Sequence, residues 1–158
     1  MRSYIVTHSP LGLLTITEKD GCLERLEFGE KKVEGARWEM TPLLKNTQRE
    51  LNEYFEGQRS VFDLPLKPSG TPFQQAVWRA LLKIPYGRTC TYGDIAEQVG
   101  HPGASRAVGM ANHQNPIAIV IPCHRVVAAT GRLTGYAGGL DKKEYLLSFE
   151  HVSAQFDK

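Results

Sequence analysis

The chain has 158 residues, of which 41% are hydrophobic and 23% are charged, and its formal net charge is +2. A chain of this length and composition can bury a real core, which excludes a disordered polypeptide and allows one domain or two small ones. No apolar run approaches the roughly 18 residues that a membrane-spanning helix needs, and the N-terminus lacks the apolar segment of a secretory signal. We therefore expect a soluble cytoplasmic protein with no membrane partner.

The charged and metal-binding residue types limit the partners that the chain can have. Residues 1–67 carry ten Lys and Arg against eleven Asp and Glu, whereas residues 68–158 carry nine against six. The basic excess of the second part permits a polyanionic partner, although a solvated basic face gives the same count. Three cysteines without a Cys-x-x-Cys pair, and histidines without ligand spacing, predict no disulfide framework, no metal site and no cofactor.

The first part of the chain has the pattern of a small antiparallel sheet followed by a helix. Strands are predicted over residues 4–7, 13–17 and 23–28. Asp20-Gly21, between the last two strands, suits a tight hairpin. Thr41-Pro42 then opens a helix, because proline is favoured at the first helical position. We expect residues 1–67 to form an α/β support domain without chemistry of its own.

Residues 68–158 follow a loop rich in proline and glycine and have a mainly helical pattern. A capping box that begins at Thr71 opens the first helix. The same capping pattern at Thr91 opens a short helix, and a second short helix covers Ala104–Asn112 after a glycine-containing break. Helix, break and helix is the signature of a helix-turn-helix, which many helical hairpins share. The sequence therefore predicts an α+β protein: a small antiparallel sheet with a helix in the N-terminal domain, and a mainly helical C-terminal domain with a helix-turn-helix.

The second helix of this pair has small side chains around a single long one, Arg106. The small residues are Ala104, Ala107, Gly109 and Ala111. Such a helix lacks the long polar side chains that read base edges in the major groove. It can instead press its backbone into a narrow groove, with Arg106 as a probe. A closely packed core helix with a solvent-facing arginine has the same pattern, so these residues leave both interpretations open.

The segment around Cys123 has the features of a nucleophilic site. Residues 117–121 are apolar and fit a buried strand or an extended segment, and Pro122 stops strand pairing, so we expect the thiol at the rim of a pocket. A thiol reacts as the thiolate, which at a pKa of about 8.5 is a few per cent of the population at neutral pH, so a neighbour must lower the pKa. His124 is the nearest base, but adjacent residues of an extended chain face opposite sides. Direct contact therefore needs a kink, or a bridging water.

A carboxylate near the end of the chain can orient this histidine. Asp141 is the expected cap of a C-terminal helix, and Glu150 lies on its apolar face with Leu146 and Leu147. An inward carboxylate needs a partner because an unpaired buried charge is very costly. His124 would satisfy it, and an alternative is that Glu150 reaches solvent.

Five motifs follow one another in the second part of the chain. They are Arg-Ala-Val-Gly at 106–109, Asn-Pro at 115–116, Ile-Pro-Cys-His-Arg-Val-Val at 121–127, Gly-Tyr-Ala-Gly-Gly-Leu at 135–140 and Leu-Leu-x-x-Glu at 146–150. From about Pro72 to Glu150 the chain resembles the O6-alkylguanine-DNA alkyltransferases. The resemblance implies that residues 1–67 are the family's ribonuclease H-like domain. It also implies that residues 68–158 bind DNA and accept the alkyl group.

The reaction implied by the resemblance is DNA repair by direct damage reversal. Cys123 would take the alkyl group of O6-alkylguanine in double-stranded DNA, irreversibly and once per protein. O6-methylguanine is the expected substrate and O4-methylthymine a poorer one. His124 would act as base through a water, and Glu150 would orient it. The thiolate cannot reach a stacked base, so the nucleotide must be flipped out.

The resemblance to the alkyltransferases also implies DNA-binding roles for further residues. Arg106 would fill the vacated stack, with its helix in the minor groove. Tyr92 would help to extrude the nucleotide and would supply a proton or a hydrogen bond to the departing base. Tyr136 would line the pocket, and Asn115 would brace the DNA-binding helices. The remaining expected contacts are Ala107, Gly109, Ala111 and Gly138. Some relatives have serine in place of Ala137, so one donor toward the substrate oxygen is missing. We expect a monomer, with cooperative binding on DNA left open.

Three other classes of protein share parts of this pattern. A non-catalytic sensor of alkylated bases has the same fold but lacks the reactive cysteine. A cysteine hydrolase built on Cys123, His124 and Glu150 would need an oxyanion hole, for which the sequence offers no feature. A transcriptional regulator would need base-reading side chains, and the second short helix has few beyond Arg106 and Asn112. The transferase is therefore the prediction, with a sensor or regulator as the alternative.

Overall fold

A computed structural model describes residues 1–136 and 138–156, with side chains described as far as His151. The predicted loss of a donor at Ala137 therefore lies outside the described residues. The chain divides into two units, Met1–Ser69 with Pro116–Val120, and Gly70–Asn115 with Ile121–Lys158. The sequence predicted one boundary after residue 67, and it did not predict that Pro116–Val120 belongs to the first unit.

The first unit contains a four-stranded sheet with the strand order β3-β2-β1-β4. The strands are β1 (Arg2–Ser9), β2 (Gly12–Lys19), β3 (Cys22–Phe28) and β4 (Ala36–Trp38). β1, β2 and β3 pair antiparallel, and β4 is parallel to β1. Asp20 and Gly21 have φ angles of 53° and 80°, as a hairpin turn matched to the strand twist requires. β4 was not predicted because three residues are too few to show alternation.

One helix, α1 (Pro42–Phe55), covers the sheet of the first unit. Thr41 caps it by accepting a hydrogen bond from the amide of Leu44 at 3.1 Å, which satisfies one of the free donors of the first turn. Its buried face packs on the apolar side of the strands. The buried hydrophobic residues are Ile5, Leu14, Ile16, Leu23, Leu26, Leu44, Leu51 and Tyr54. The helix therefore supplies the second layer that the sheet needs to bury its face.

The apolar segment at residues 117–121 is not the strand or extended segment that we predicted. Ile117 makes a single parallel bridge to Leu26 of β3. The chain then turns, the amide of Val120 donates to the carbonyl two residues before it at 2.8 Å, and Ile119 has a φ of 70°. A β-branched residue is strained at positive φ, so packing of these buried side chains outweighs the local backbone preference.

The second unit is mainly helical. Its helices are α2 (Pro72–Leu81), α3 (Tyr92–Gln98), α4 (Ser105–His113) and α5 (Leu140–Phe156). Two-residue strands, β5 (Cys90–Thr91) and β6 (Val126–Val127), pair in parallel. A sheet in one unit and helices in the other confirm the predicted α+β class. Among the described residues, no helix combines the length and apolar character that crossing a membrane requires.

The starts of three helices test the capping predictions. Thr71 and Thr91 each take part in a complete capping box at the start of α2 and α3. α3 and α4 then form the predicted helix-break-helix, with Gly100 and Gly103 at positive φ in the break. The predicted cap at Asp141 is wrong, because α5 begins one residue earlier and this carboxylate lies within the first turn. There it still interacts favourably with the N-terminal end of the helix dipole.

Candidate active site

Cys123 lies where the backbone bends sharply. Pro122 has φ −81° and ψ 63°, and the amide of Cys123 donates to the carbonyl of Ile121 at 2.8 Å, which is an inverse γ-turn. A single 3-10 turn, Cys123–Arg125, follows. The chain is therefore kinked at the cysteine, as direct Cys–His contact would need. The thiol does not lie at a pocket rim as expected, since Cys123 is only 4% exposed.

The surroundings of Cys123 favour the neutral thiol. Burial raises its pKa to about 11, against the opposing effects of a hydrogen bond from Asn115, the charge of Lys143 and a hydrogen bond from Tyr136. The expectation that neighbours lower this pKa in the resting protein is therefore wrong. Burial also raises the pKa of Tyr136, and negative charge on Cys123 or Glu150 adds to this effect. At neutral pH the resting site holds a protonated thiol and a protonated phenol.

His124 and Glu150 form a buried pair. Nε2 of His124 lies 2.7 Å from Oε2 of Glu150, and the two side chains are 0% and 1% exposed. Burial lowers the pKa of His124, against the opposing effect of the carboxylate. The imidazole is therefore neutral at pH 7, with its proton on Nε2 directed at Glu150. No group among the described residues hydrogen-bonds to Nδ1, so its lone pair is the basic site of the ring.

Arg125 is a second partner of Glu150, which the sequence analysis missed. Its Nε lies 2.8 Å from Oε1 and its Nη2 lies 2.9 Å from Oε2, a bidentate geometry that a planar guanidinium favours. Nη1 donates to the carbonyl of Ile84 at 2.8 Å. Burial alone would raise the pKa of Glu150, but His124 and Arg125 outweigh it and hold the pKa at about 2. The sequence contained a signal for this ion pair, because a buried carboxylate beside a neutral histidine still needs a cation.

Two asparagines connect the end of α4 to the reactive segment. Nδ2 of Asn112 donates to the carbonyl of Cys123 at 3.2 Å, and Nδ2 of Asn115 donates to the carbonyl of Ile121 at 2.8 Å. Both side chains are at least 91% buried. The structure therefore brings Asn115, Cys123, His124, Glu150 and Tyr136 into one cluster. Asn112, which was considered only as a base reader, instead lies inside the protein.

Lys143 is a further buried residue that the sequence analysis missed. Its side chain is 0% exposed, and Nζ donates to the carbonyl of Thr134 at 3.3 Å. Burial lowers the pKa of Lys143, while negative charge on Cys123 opposes this. A signal was present in the sequence, because Lys143 lies three and seven residues before Leu146 and Glu150, on the same helix face.

The helix pair α3 and α4 borders an open cavity of about 530 Å³. Its lining residues are Tyr92, Ser105, Arg106, Gly109, Met110, His113, Gln114 and Thr134. The hydroxyl group of Tyr92 is hydrogen-bonded to that of Thr134. Arg106 and Ala107 are exposed, and Gly138 is half-buried. Ala111, another predicted DNA contact, is 2% exposed, and its carbonyl accepts a hydrogen bond from the indole of Trp78 at 2.9 Å.

Two family models match this chain. The model described as 6-O-methylguanine DNA methyltransferase, ribonuclease-like domain, matches residues 3–68. The model described as 6-O-methylguanine DNA methyltransferase, DNA binding domain, matches residues 72–152, which include the whole cluster around Cys123. The chain belongs to the 6-O-methylguanine DNA methyltransferase family. The predicted resemblance is thereby confirmed.

Relatives within this methyltransferase family are similar over their whole length. The methylated-DNA–protein-cysteine methyltransferase of Mycolicibacterium paratuberculosis is 50% identical over 153 residues, 95% of this chain and 93% of the relative. That of Methanosarcina acetivorans is 49% identical over 151 residues, 93% of this chain and 97% of the relative. A crystal structure of Mycobacterium tuberculosis OGT in complex with DNA has a TM-score of 0.89 at 45% identity, covering 96% and 94% of the two chains.

These matches establish the general activity of the chain. It is an enzyme with methylated-DNA–protein-cysteine methyltransferase activity, and it repairs DNA by alkyl transfer. DNA is its partner. The predicted enzyme class and DNA-binding character are confirmed, while the roles of individual residues stay predictions.

Proposed function

We propose that Cys123 accepts the alkyl group of O6-alkylguanine in double-stranded DNA, once and irreversibly, after the nucleotide has left the helix stack. The observation that carries this proposal is the buried series of Cys123, His124 and Glu150, in which Nδ1 of the neutral imidazole is the basic atom. A thiol with a pKa of about 11 needs such a base at the moment of reaction.

The first step is the removal of the thiol proton. Nδ1 of His124 takes it through a water, and Nε2–H stays directed at Glu150, whose carboxylate stabilises the imidazolium that forms. Arg125 keeps Glu150 ionised and fixed in place. His124 is the base in this scheme, and Glu150 is a positioning residue.

The second step is a single displacement at the alkyl carbon. The bond between Sγ of Cys123 and the alkyl carbon forms while the bond from that carbon to O6 breaks. The electron pair of the broken bond stays on guanine, which takes up one proton, so the thiol proton is balanced by the proton gained by the base. Tyr92 donates this proton and regains one from solvent, and the imidazolium of His124 loses the thiol proton to solvent. Tyr136 contacts the modified oxygen. The thioether is stable at neutral pH, and each protein molecule therefore reacts once.

Base flipping brings the alkyl carbon to the thiol. α4 enters the minor groove through two small residues, the exposed Ala107 and the half-buried Gly109, and Arg106 takes the place of the extruded nucleotide. Unstacking costs a few kcal/mol, which the stacking of Arg106 and contacts inside the cavity offset. Gly138 lets the backbone of its loop approach the base. The cavity beside α3 and α4 supports this proposal because Tyr92 and Arg106 line it together.

The substrate and setting follow from the same scheme. O6-methylguanine is the main substrate and O4-methylthymine a poorer one. The protein acts as a monomer in the cytoplasm, at the nucleoid in a bacterium. The scheme uses the thiolate as nucleophile and has no step that requires a metal or cofactor.

Intact-mass measurement after incubation with a duplex containing O6-methylguanine tests this proposal. We expect a gain of one methyl group on Cys123, at one equivalent per protein and with no further turnover. The matched control is the Cys90→Ala variant, which should gain the methyl group as the wild type does. Unmodified protein with bound DNA would indicate a sensor. Continued release of product would indicate a hydrolase, and either result contradicts the proposal.

A further inference from the structure

Lys143 is a buried cation whose role the transfer scheme does not explain. Its side chain is 0% exposed on α5, and its described hydrogen bond, to the carbonyl of Thr134, is long at 3.3 Å. An ammonium group has three donors, and taking its charge out of water costs several kcal/mol unless an anion lies nearby. The residue therefore needs a counter-ion at some stage of the reaction.

The ionised side chains nearby are already engaged. Glu150, on the same face of α5, is held by His124 and by both arms of Arg125. Among the described residues, no carboxylate forms a salt bridge with Lys143.

Two contacts place Lys143 near Cys123. Its Nζ is bonded to the carbonyl of Thr134, two residues before Tyr136, whose hydroxyl group is hydrogen-bonded to the thiol, and α5 packs against the turn Cys123–Arg125. At this position the charge of Lys143 favours the thiolate, and the thiolate favours the ammonium.

We propose that Lys143 supplies the positive charge that stabilises the thiolate of Cys123 after His124 has accepted its proton. The inference rests on the proposed role of Cys123 as nucleophile, but not on the identity of the substrate. Lys143 acts as a charge-stabilising residue, and the carbonyl of Thr134 anchors its ammonium group.

The arrangement of α5 supports this role. Lys143 and Glu150 are seven residues apart, two helical turns and about 10 Å along one face. One helix thus presents a cation to Cys123 and an anion to His124, the two residues between which the proton moves.

Other charged and titratable groups face the same pair. Cys123 also interacts with the phenol of Tyr136 and the amide of Asn115. His124 interacts with Glu150 and Arg125. Tyr136 and Asn115 can donate hydrogen bonds to the thiolate but carry no positive charge. Lys143 is therefore the cation that acts on Cys123 in the described site.

Alkylation of Cys123 by iodoacetamide tests the inference without DNA. The background carries Cys22→Ser and Cys90→Ser, so that only one thiol reacts, and the rate is measured by intact mass from neutral to alkaline pH. In Lys143→Met we expect an alkylation rate at neutral pH about tenfold below that of the background protein, with the rate profile displaced by about one pH unit upward. Lys143→Arg keeps the charge and should retain most of the rate.

Two controls separate this role from a purely structural one. Lys142→Met, at the neighbouring half-buried lysine, should leave the rate unchanged. Methionine fills a similar volume without a buried charge, so Lys143→Met should melt no lower than the background protein. The carbon-13 Cβ shift of Cys123, in protein labelled at cysteine, follows its ionisation independently of reagent access. It should show the same upward displacement.

The possible results distinguish this inference from the proposed function. An unchanged pH profile in Lys143→Met overturns the inference, whether or not the melting temperature of the variant falls. If the iodoacetamide and Cβ-shift profiles are displaced but the wild type takes no methyl group from O6-methylguanine in DNA, the inference stands and the proposed function fails. If methyl transfer is normal in both proteins and neither profile moves, the proposed function stands and the inference fails.

Discussion

Nε2 of His124 lies 2.7 Å from Oε2 of Glu150, with both side chains at most 1% exposed. Because this contact uses the only proton of the neutral imidazole, the opposite nitrogen of the ring is left as the acceptor. The carboxylate therefore decides which nitrogen of His124 is basic. It also gives the imidazole a fixed orientation on the 3-10 turn that begins at Cys123.

Replacing Glu150 with glutamine should affect both reaction and stability. The rate of methyl transfer in a single turnover should fall by about a hundredfold, because the imidazolium loses its stabilising anion. Arg125 is left buried without its partner, so the free energy of unfolding in urea should fall by about 3 to 5 kcal/mol. The matched control is Glu144→Gln, an exposed position of the same helix. A Glu150→Gln variant that transfers the methyl group at the wild-type rate would remove Glu150 from the mechanism.

The ionisation of Glu150 should make stability depend on pH in the acid range. Its folded-state pKa, about 2, lies below the ordinary value of 4.5, so the unfolded chain binds the proton more readily. This carboxylate therefore contributes stability above about pH 5, roughly 3 kcal/mol, and the contribution is lost as the pH falls toward 2.

Urea unfolding of the wild type and Glu150→Gln over a pH series measures this dependence. The difference in free energy between the two proteins should be largest at neutral pH and should narrow steadily as the pH falls below 5. A difference that stays constant down to the acid limit of folding would mean that Glu150 is not held ionised by His124 and Arg125.

Replacing Cys123 with alanine should abolish alkyl transfer and leave DNA binding intact. The thiol is buried and donates nothing to the exposed face of α4, so affinity for an undamaged duplex, measured by fluorescence anisotropy, should be unchanged. Cys22→Ala, in the first unit, is the control and should transfer normally. Loss of both transfer and binding in Cys123→Ala would show that the cysteine has a structural role instead.

Replacing Arg106 with alanine should affect duplex repair more than reaction with a free base. A free O6-alkylguanine needs no extrusion from a stack, whereas a duplex substrate loses the side chain that fills the gap, at a cost of a few kcal/mol. We expect the duplex rate to fall by at least about tenfold more than the free-base rate. Arg79→Ala, an exposed arginine of α2, is the control. Equal losses with both substrates would contradict a role for Arg106 in flipping.

Periodic and motif-like features were the ones that the sequence could predict. The apolar face of α5 made a buried Glu150 one of two alternatives, and the capping pattern at Thr71 and Thr91 located two helix starts correctly. The order of the motifs around Cys123 identified the family. These features repeat or occur at fixed spacings, so local sequence is enough to recognise them.

Features that depend on packing between distant segments were not predicted. A helix pattern places Lys143 on the inward face of α5, but it does not show that its ammonium group donates to the carbonyl of Thr134. Arg125, the residue after His124, was missed because the sequence does not show that both side chains bind the carboxylate of Glu150. The positive φ of Ile119 contradicts the local preference of isoleucine. Such φ angles are determined by the burial of the surrounding segment, and the conformational propensity of a single residue carries no information about that burial.

The burial of Cys123 also bears on how long the protein keeps its activity before it meets a lesion. Peroxides and disulfides react with exposed thiolates, and a protonated thiol that is 4% exposed offers them neither charge nor access. Under the single transfer proposed above, a protein molecule loses its function if an oxidant reaches its thiol first. The high pKa of the Cys123 thiol in the resting protein slows nucleophilic attack, and it therefore also protects the thiol from oxidation until the protein meets a lesion.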